Sequence, residues 1–149
     1  MERAYRYQTS AHWIEARHGV VIGEGLPDKI YFAAPPEFEG EADKWTPEHL
    51  LLAAVPSCFT STFHAFAEFA KLDLPALSAD CEGILVKEHG GFRFAQIFLR
   101  PAVTVAREAD REQAQRLLQK AARACFVARS LNSKVVLEPT VAVAAAACA

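Results

Sequence analysis

Thr46-Pro47-Glu48-His49-Leu50-Leu51-Leu52-Ala53-Ala54-Val55-Pro56-Ser57-Cys58-Phe59 opens the longest apolar run in the chain, and it is written as the start of a helix. Thr46 can cap through its hydroxyl, Pro47 suits the first helical position, and Glu48 puts an anion in the first turn, where the helix dipole favours it. The pattern continues to about Leu72. Phe59, Phe63, Phe66 and Ala70 fall on one stripe, and Leu51, Ala54, Cys58, Thr62, Ala65 and Phe69 on another. A helix apolar on more than one side is expected to be central, between a sheet and something else. Leu50 to Ala67 carries no formal charge over 18 residues, the lower limit for a membrane span. Its Ser, Thr, Pro and His residues, and the absence of a second such stretch, favour a buried helix instead.

Outward from this helix the period changes. Ala4 to Ala33 reads as an antiparallel meander broken at His18-Gly19 and Gly25-Leu26-Pro27-Asp28, and Ala34 to Lys44 as a loop. Leu77–Val86 and Phe92–Ala106 are strand-like on either side of Gly90-Gly91, a hairpin signal. Asp110 is placed to cap a second helix with the apolar stripe Ala114, Leu118, Ala121, Cys125 and a Glu112–Arg116 pair on its wet face. Val135–Val143, interrupted by Pro139, is the last strand and suits a sheet edge. Strands, helix, strands, helix, strand predicts an α+β fold with antiparallel sheets packed around a central Cys-bearing helix. At 149 residues, with no linker or repeat, a single domain over 1–149 is expected.

Sixteen Lys and Arg stand against 18 Asp and Glu, a net charge of −2, so no basic field is present to hold nucleic acid or an anionic membrane surface. The polar start, Met1-Glu2-Arg3, lacks a signal-peptide pattern, and a cytoplasmic location is expected. Cys58, Cys81, Cys125 and Cys148 are spaced 23, 44 and 23 apart, with no pair at zinc-site spacing, and no metal or nucleotide motif is found.

Two readings of Cys58 stand on the residues alone. It is a small buried hydrophobe, or it is a thiolate. Pro56 removes a backbone donor and forces the helix to kink or restart, and a restart would place Cys58 in a first turn with free N–H groups beside it. Cys125, at the end of its stripe, faces the core and is inert or, where the two helices pack together, within disulfide reach of Cys58. Cys81 reads as a core or interface residue and Cys148 as part of a frayed, functionless tail. His64, near the opposite face from Cys58, is badly placed to act as its base. His12, His49 and His89 read as structural or solvated.

Taken together, Thr46-Pro47-Glu48-His49-Leu50-Leu51-Leu52-Ala53-Ala54 with Ser57-Cys58-Phe59, and Ala124-Cys125 running through Ser130-Leu131-Asn132 into Val135, resemble the OsmC/Ohr family, the osmotically inducible and organic hydroperoxide resistance proteins. The resemblance covers nearly the whole chain. It implies an intertwined homodimer acting as a thiol-dependent peroxidase on organic hydroperoxides, without metal or other bound cofactor, recycled by an external dithiol or a lipoyl-bearing protein. Transferred by position, Cys58 is the peroxidatic thiolate, Cys125 resolves it, Glu48 is the acid at the helix start, and Arg17 is the arginine that holds the thiolate. A guanidinium would lower a thiol pKa from about 8.5, and Glu48 could orient it as a bidentate pair. About 15 Å of straight helix between Glu48 and Cys58 would then call for the Pro56 kink or a glutamate from the partner subunit. Pro56 and Phe126-Val127-Ala128-Arg129 depart from the family pattern, the latter lacking Pro-Tyr-Ser or Pro-Val-Ser after the second cysteine, and imply another branch. The alternative is a catalytically weak dimer binding a hydrophobic or acyl ligand among Phe59, Phe63, Phe66 and Phe69.

Overall fold

The Thr46 cap forms, and with more machinery than a lone hydroxyl. Thr46 Oγ1 accepts the His49 N–H at 3.1 Å, while the Thr46 N–H reaches back to His49 Nδ1 at 3.3 Å. His49 therefore takes the place that Glu or Gln holds in a reciprocal capping box, which makes it a structural histidine. The helix so started, α1, runs Pro47–Phe69 in the computed structural model, which describes residues 2–145. Pro56 lies inside it and the helix does not restart there, so Cys58 is not in a first turn. One missing N–H does not outweigh the packing of the turns on either side.

The chain divides into two compact units, Met1–Leu51 and Leu52–Ala149. The first holds β1 (Thr9–Glu15), β2 (His18–Gly23) and β3 (Lys29–Ala33) as the expected antiparallel meander. Its first turn is at Ala16-Arg17, where Ala16 takes φ +45° and its carbonyl accepts the Trp13 indole N–H at 2.8 Å. His18-Gly19, expected as the break, instead lies in β2. Gly19 is needed there for closeness: a Cβ on it would sit 2.6 Å from the Phe32 ring and 2.8 Å from the His12 carbonyl oxygen. A 3-10 turn, Pro36–Phe38, follows.

The second unit is built on β4 (Ala76–Glu88) and β5 (Gly91–Val105), an antiparallel pair turning at His89-Gly90, both with positive φ (50° and 82°) as a two-residue hairpin with native twist requires. After β5 come α2 (Arg111–Ala124), a one-turn helix α3 (Phe126–Arg129), β6 (Lys134–Leu137) and β7 (Thr140–Val143). The sheet is mixed rather than antiparallel throughout, because β6 and β7 both run parallel to β5. A strand that returns through a helical crossover re-enters the sheet in its original direction. The break between β6 and β7 falls at Glu138-Pro139, level with Pro101 of β5; the Glu138 N–H still donates to the Leu99 carbonyl at 2.8 Å, but neither proline has an N–H to give.

The core of this unit joins Val55, Phe59, Phe63 and Ala67 of α1 to alternate β5 residues Ile97, Leu99, Val103 and Val105, and to Ala114, Leu118, Ala121 and Cys125 around α2, the stripe expected from sequence. The Glu112–Arg116 pair also forms, at 3.0 Å. Asp110 does not cap α2 with its side chain. Its carboxylate takes two bonds from the Arg107 guanidinium, at 2.9 and 3.1 Å, a charge-assisted fork stronger than a single N–H contact. On α1 only one stripe is deeply buried. By length and composition this helix could cross a membrane, yet its buried stripe is part of a protein core. The four phenylalanines do not share a surface: Phe59 and Phe63 stack inside the core, Phe66 lies under the Lys120 ammonium at 4.5 Å, and Phe69 is 93% exposed.

Candidate active site

Cys58 lies on α1, half-buried against the core, and Cys125 is fully buried at the junction of α2 and α3. That junction makes the site. Cys125 leaves helical geometry (φ −62°, ψ 113°), so α2 stops and α3 starts afresh at Phe126. A new helix has N–H groups without intrahelical acceptors. The N–H groups of Phe126 and Val127 point to the Cys58 sulfur, and those of Val127 and Ala128 to the Cys125 sulfur.

The two thiols are driven apart in acidity. Burial pushes Cys58 upward, but hydrogen bonds from the Val127 N–H, the Cys125 thiol, the Phe126 N–H and the Thr62 hydroxyl together outweigh it and hold Cys58 below an ordinary thiol. Burial pushes Cys125 up, and the neighbouring Cys58 sulfur pushes it further, because Cys125 gives its proton to the pair. Cys125 Sγ also lies 4.0 Å from the Val55 carbonyl oxygen. The pair is thus one thiol held below the ordinary range beside one held above it, both reduced.

Arg17 and Glu48 belong to the first unit and are not joined in it. The Arg17 guanidinium donates to the Phe38 carbonyl at 2.8 Å and to Glu39 at 2.7 Å. Glu48 Oε2 is buried with no hydrogen-bond partner. The bidentate Arg17–Glu48 pair expected from sequence is therefore not formed within one chain, where Glu39 holds the guanidinium first. Cys81, opposite Leu99 on β4, is half-buried and raised by burial, partly opposed by Arg100. Cys148 lies outside the described residues. His64 is exposed, 3.9 Å from Glu68. Among the described residues no cluster of three or more His, Cys, Asp or Glu could hold a metal.

The α3 N-terminus and Thr62 were missed by sequence reasoning. The residues alone place free N–H groups beside Cys58 on its own helix, at Pro56; they come instead from the helix break after Cys125. No Gly or Pro marks that break, so the local sequence carries no breaker signal there.

A two-unit α+β fold with a cysteine pair at the meeting of a long helix and a helix break defines the class, an OsmC-like fold. The family profile described as OsmC-like protein matches residues 40–140, and the chain belongs to the OsmC/Ohr family. It is 26% identical over 137 residues to the uncharacterized protein YmaD of Bacillus subtilis (strain 168), covering 90% of this chain and 91% of that protein. An OsmC-like protein of unknown function from Vibrio cholerae superposes with a TM-score of 0.83 at 21% identity, over 92% of this chain and all of that one. An organic hydroperoxide resistance protein from Legionella pneumophila gives 0.76 at 26% identity, over 95% of this chain and all of that one.

Proposed function

We propose that the protein is a cytoplasmic, homodimeric, thiol-dependent peroxidase that reduces organic hydroperoxides through Cys58 and Cys125, without metal or other bound cofactor. The observation that carries this reading is the placing of Cys58 of α1 against the core that holds Cys125 at the break between α2 and α3; the opposite directions in which the two thiol acidities are pushed support it. The Cys58 thiolate attacks the terminal oxygen of the hydroperoxide. The O–O bond breaks, sulfur is oxidised to sulfenic acid, and the departing alkoxide takes a proton to leave as alcohol. The Cys125 thiol then attacks the sulfenic sulfur, forming the disulfide while the hydroxyl leaves with the Cys125 proton as water. Two electrons and two protons from an external dithiol, a small thiol compound or a lipoyl-bearing protein, restore both thiols.

Arg17 is assigned to polarise the peroxide and support the thiolate, oriented by Glu48 of the second subunit; the unpartnered Glu48 Oε2 in one chain supports that arrangement. The test exposes the reduced protein to one equivalent of cumene hydroperoxide, or of hydrogen peroxide in parallel, and maps cysteines by non-reducing peptide mass spectrometry. A rapid Cys58–Cys125 disulfide, faster with the organic peroxide, is expected, and Cys58→Ser should abolish turnover. Both thiols staying reduced, or full turnover by Cys58→Ser, would overturn the assignment.

A further inference from the structure

The donors around the Cys58 sulfur differ in what holds them. The Phe126 and Val127 N–H groups belong to the single turn of α3, and the Cys125 thiol is itself a reactant in the proposed cycle. Thr62 is carried on α1, one turn beyond Cys58, on the same helix as the sulfur it serves. Its Oγ1 donates to the Cys58 backbone carbonyl at 2.8 Å, and side chains four residues apart on a helix are neighbours, so the hydroxyl is carried beside the Cys58 side chain, in accord with the downward push on that thiol.

A threonine hydroxyl has one proton to give. Toward a neutral thiol, a weak acceptor, the carbonyl is the better partner, and the hydroxyl makes the ordinary back-bond of a helical threonine. Toward a thiolate the preference reverses, because a charged acceptor draws the stronger bond. The carbonyl is not abandoned when the hydroxyl turns, since in a continuous helix it keeps the N–H four residues on.

We propose that Thr62 is a positioning residue of the thiol site, its hydroxyl turning from the Cys58 carbonyl to the Cys58 sulfur when that sulfur is ionised or oxidised. This rests on Cys58 being the reacting thiol and adds the one donor that moves rigidly with it. A hydroxyl that bonds one protonation state more strongly than the other displaces the titration of that thiol.

The test is the pH dependence of Cys58 alkylation by iodoacetamide in the full chain, read peptide by peptide, for wild type, Thr62→Val and Thr62→Ser, with thermal unfolding as the check on folding. Thr62→Val keeps the shape and loses the proton, and its midpoint should rise by about 0.5–1 in pH. Thr62→Ser keeps the hydroxyl and should titrate as wild type. Should the valine variant not fold, Thr62→Ala is expected to show the same rise. A valine or alanine profile that overlays wild type overturns the proposal, as does a serine profile displaced as far as valine, which would make the effect one of packing. Alkylation needs no peroxide. A protein that shows the displacement yet reduces no hydroperoxide would overturn the peroxidase reading and leave the hydroxyl's role standing.

Discussion

The two sheets of this protein obey the same alternation and end in opposite states. In the second unit, the alternate β5 residues Ile97, Leu99, Val103 and Val105 are sealed by two helices. In the first unit, every residue of β1 is exposed, including Trp13 and Ile14, as is Tyr31 of β3, and among the described residues the only deeply buried side chains are Ala33 and Thr46. The strands of both units pair correctly, so hydrogen bonding is not what separates them. A sheet needs a covering layer to turn its pattern into stability. The second unit supplies its own layer from α1 and α2, whereas the first unit has no such layer of its own, and its large exposed side chains are what is expected of a surface that the proposed homodimer would bury.

The strongest way to break this contrast is a pair of truncations. Phe63→Ala, in the stacked Phe59–Phe63 core, should cost about 3–5 kcal/mol in denaturant unfolding, at every protein concentration. Trp13→Ala should cost about 0.5 kcal/mol within one chain, and any further loss must grow weaker or stronger with protein concentration. A large, concentration-independent loss at Trp13 would mean that the first sheet is covered from within.

A smaller effect sharpens the contrast at the site itself. Cys58 is held below an ordinary thiol and Cys125 above one, so as pH rises the Cys58 thiolate forms first and the Cys125 thiolate last. Iodoacetamide at neutral pH should therefore label Cys58 and spare Cys125, with selectivity falling as pH climbs past the ordinary thiol range. Equal labelling of both at neutral pH would remove the acidity split on which the proposed chemistry depends. The smallest effect is expected at Glu39→Gln, which frees Arg17 from an exposed ion pair and should change stability by no more than about 0.5 kcal/mol. A larger loss would show that the first unit, lacking a core, leans on its surface charges.

Much of this was legible beforehand, and for local reasons. The Thr46-Pro47 start, the Glu112–Arg116 pair and the Ala114–Leu118–Ala121–Cys125 stripe each involve residues within a turn or two of one another, so spacing alone brings them together. The readings that changed depended on which partner a group meets in three dimensions, whether near in the chain or far. Gly19 looked like a turn until Phe32 was seen across it. Asp110 looked like a cap until Arg107 claimed its carboxylate. Within one chain Arg17 meets Glu39, and its pairing with Glu48 stays a proposal for the two-subunit assembly.

The cysteine pair divides in the same manner. Sequence by itself determined the elements, the placing of Cys58 on a capped apolar helix and of Cys125 on the core stripe of another, because periodicity and capping are properties of adjacent residues. Only the tertiary structure decided which of the two thiols is the acidic one. That depends on α2 stopping at Cys125 and turning the free N–H groups of Phe126 and Val127 toward a sulfur nearly seventy residues earlier in the chain, and the acidity of a buried thiol is set by the donors that meet it in space.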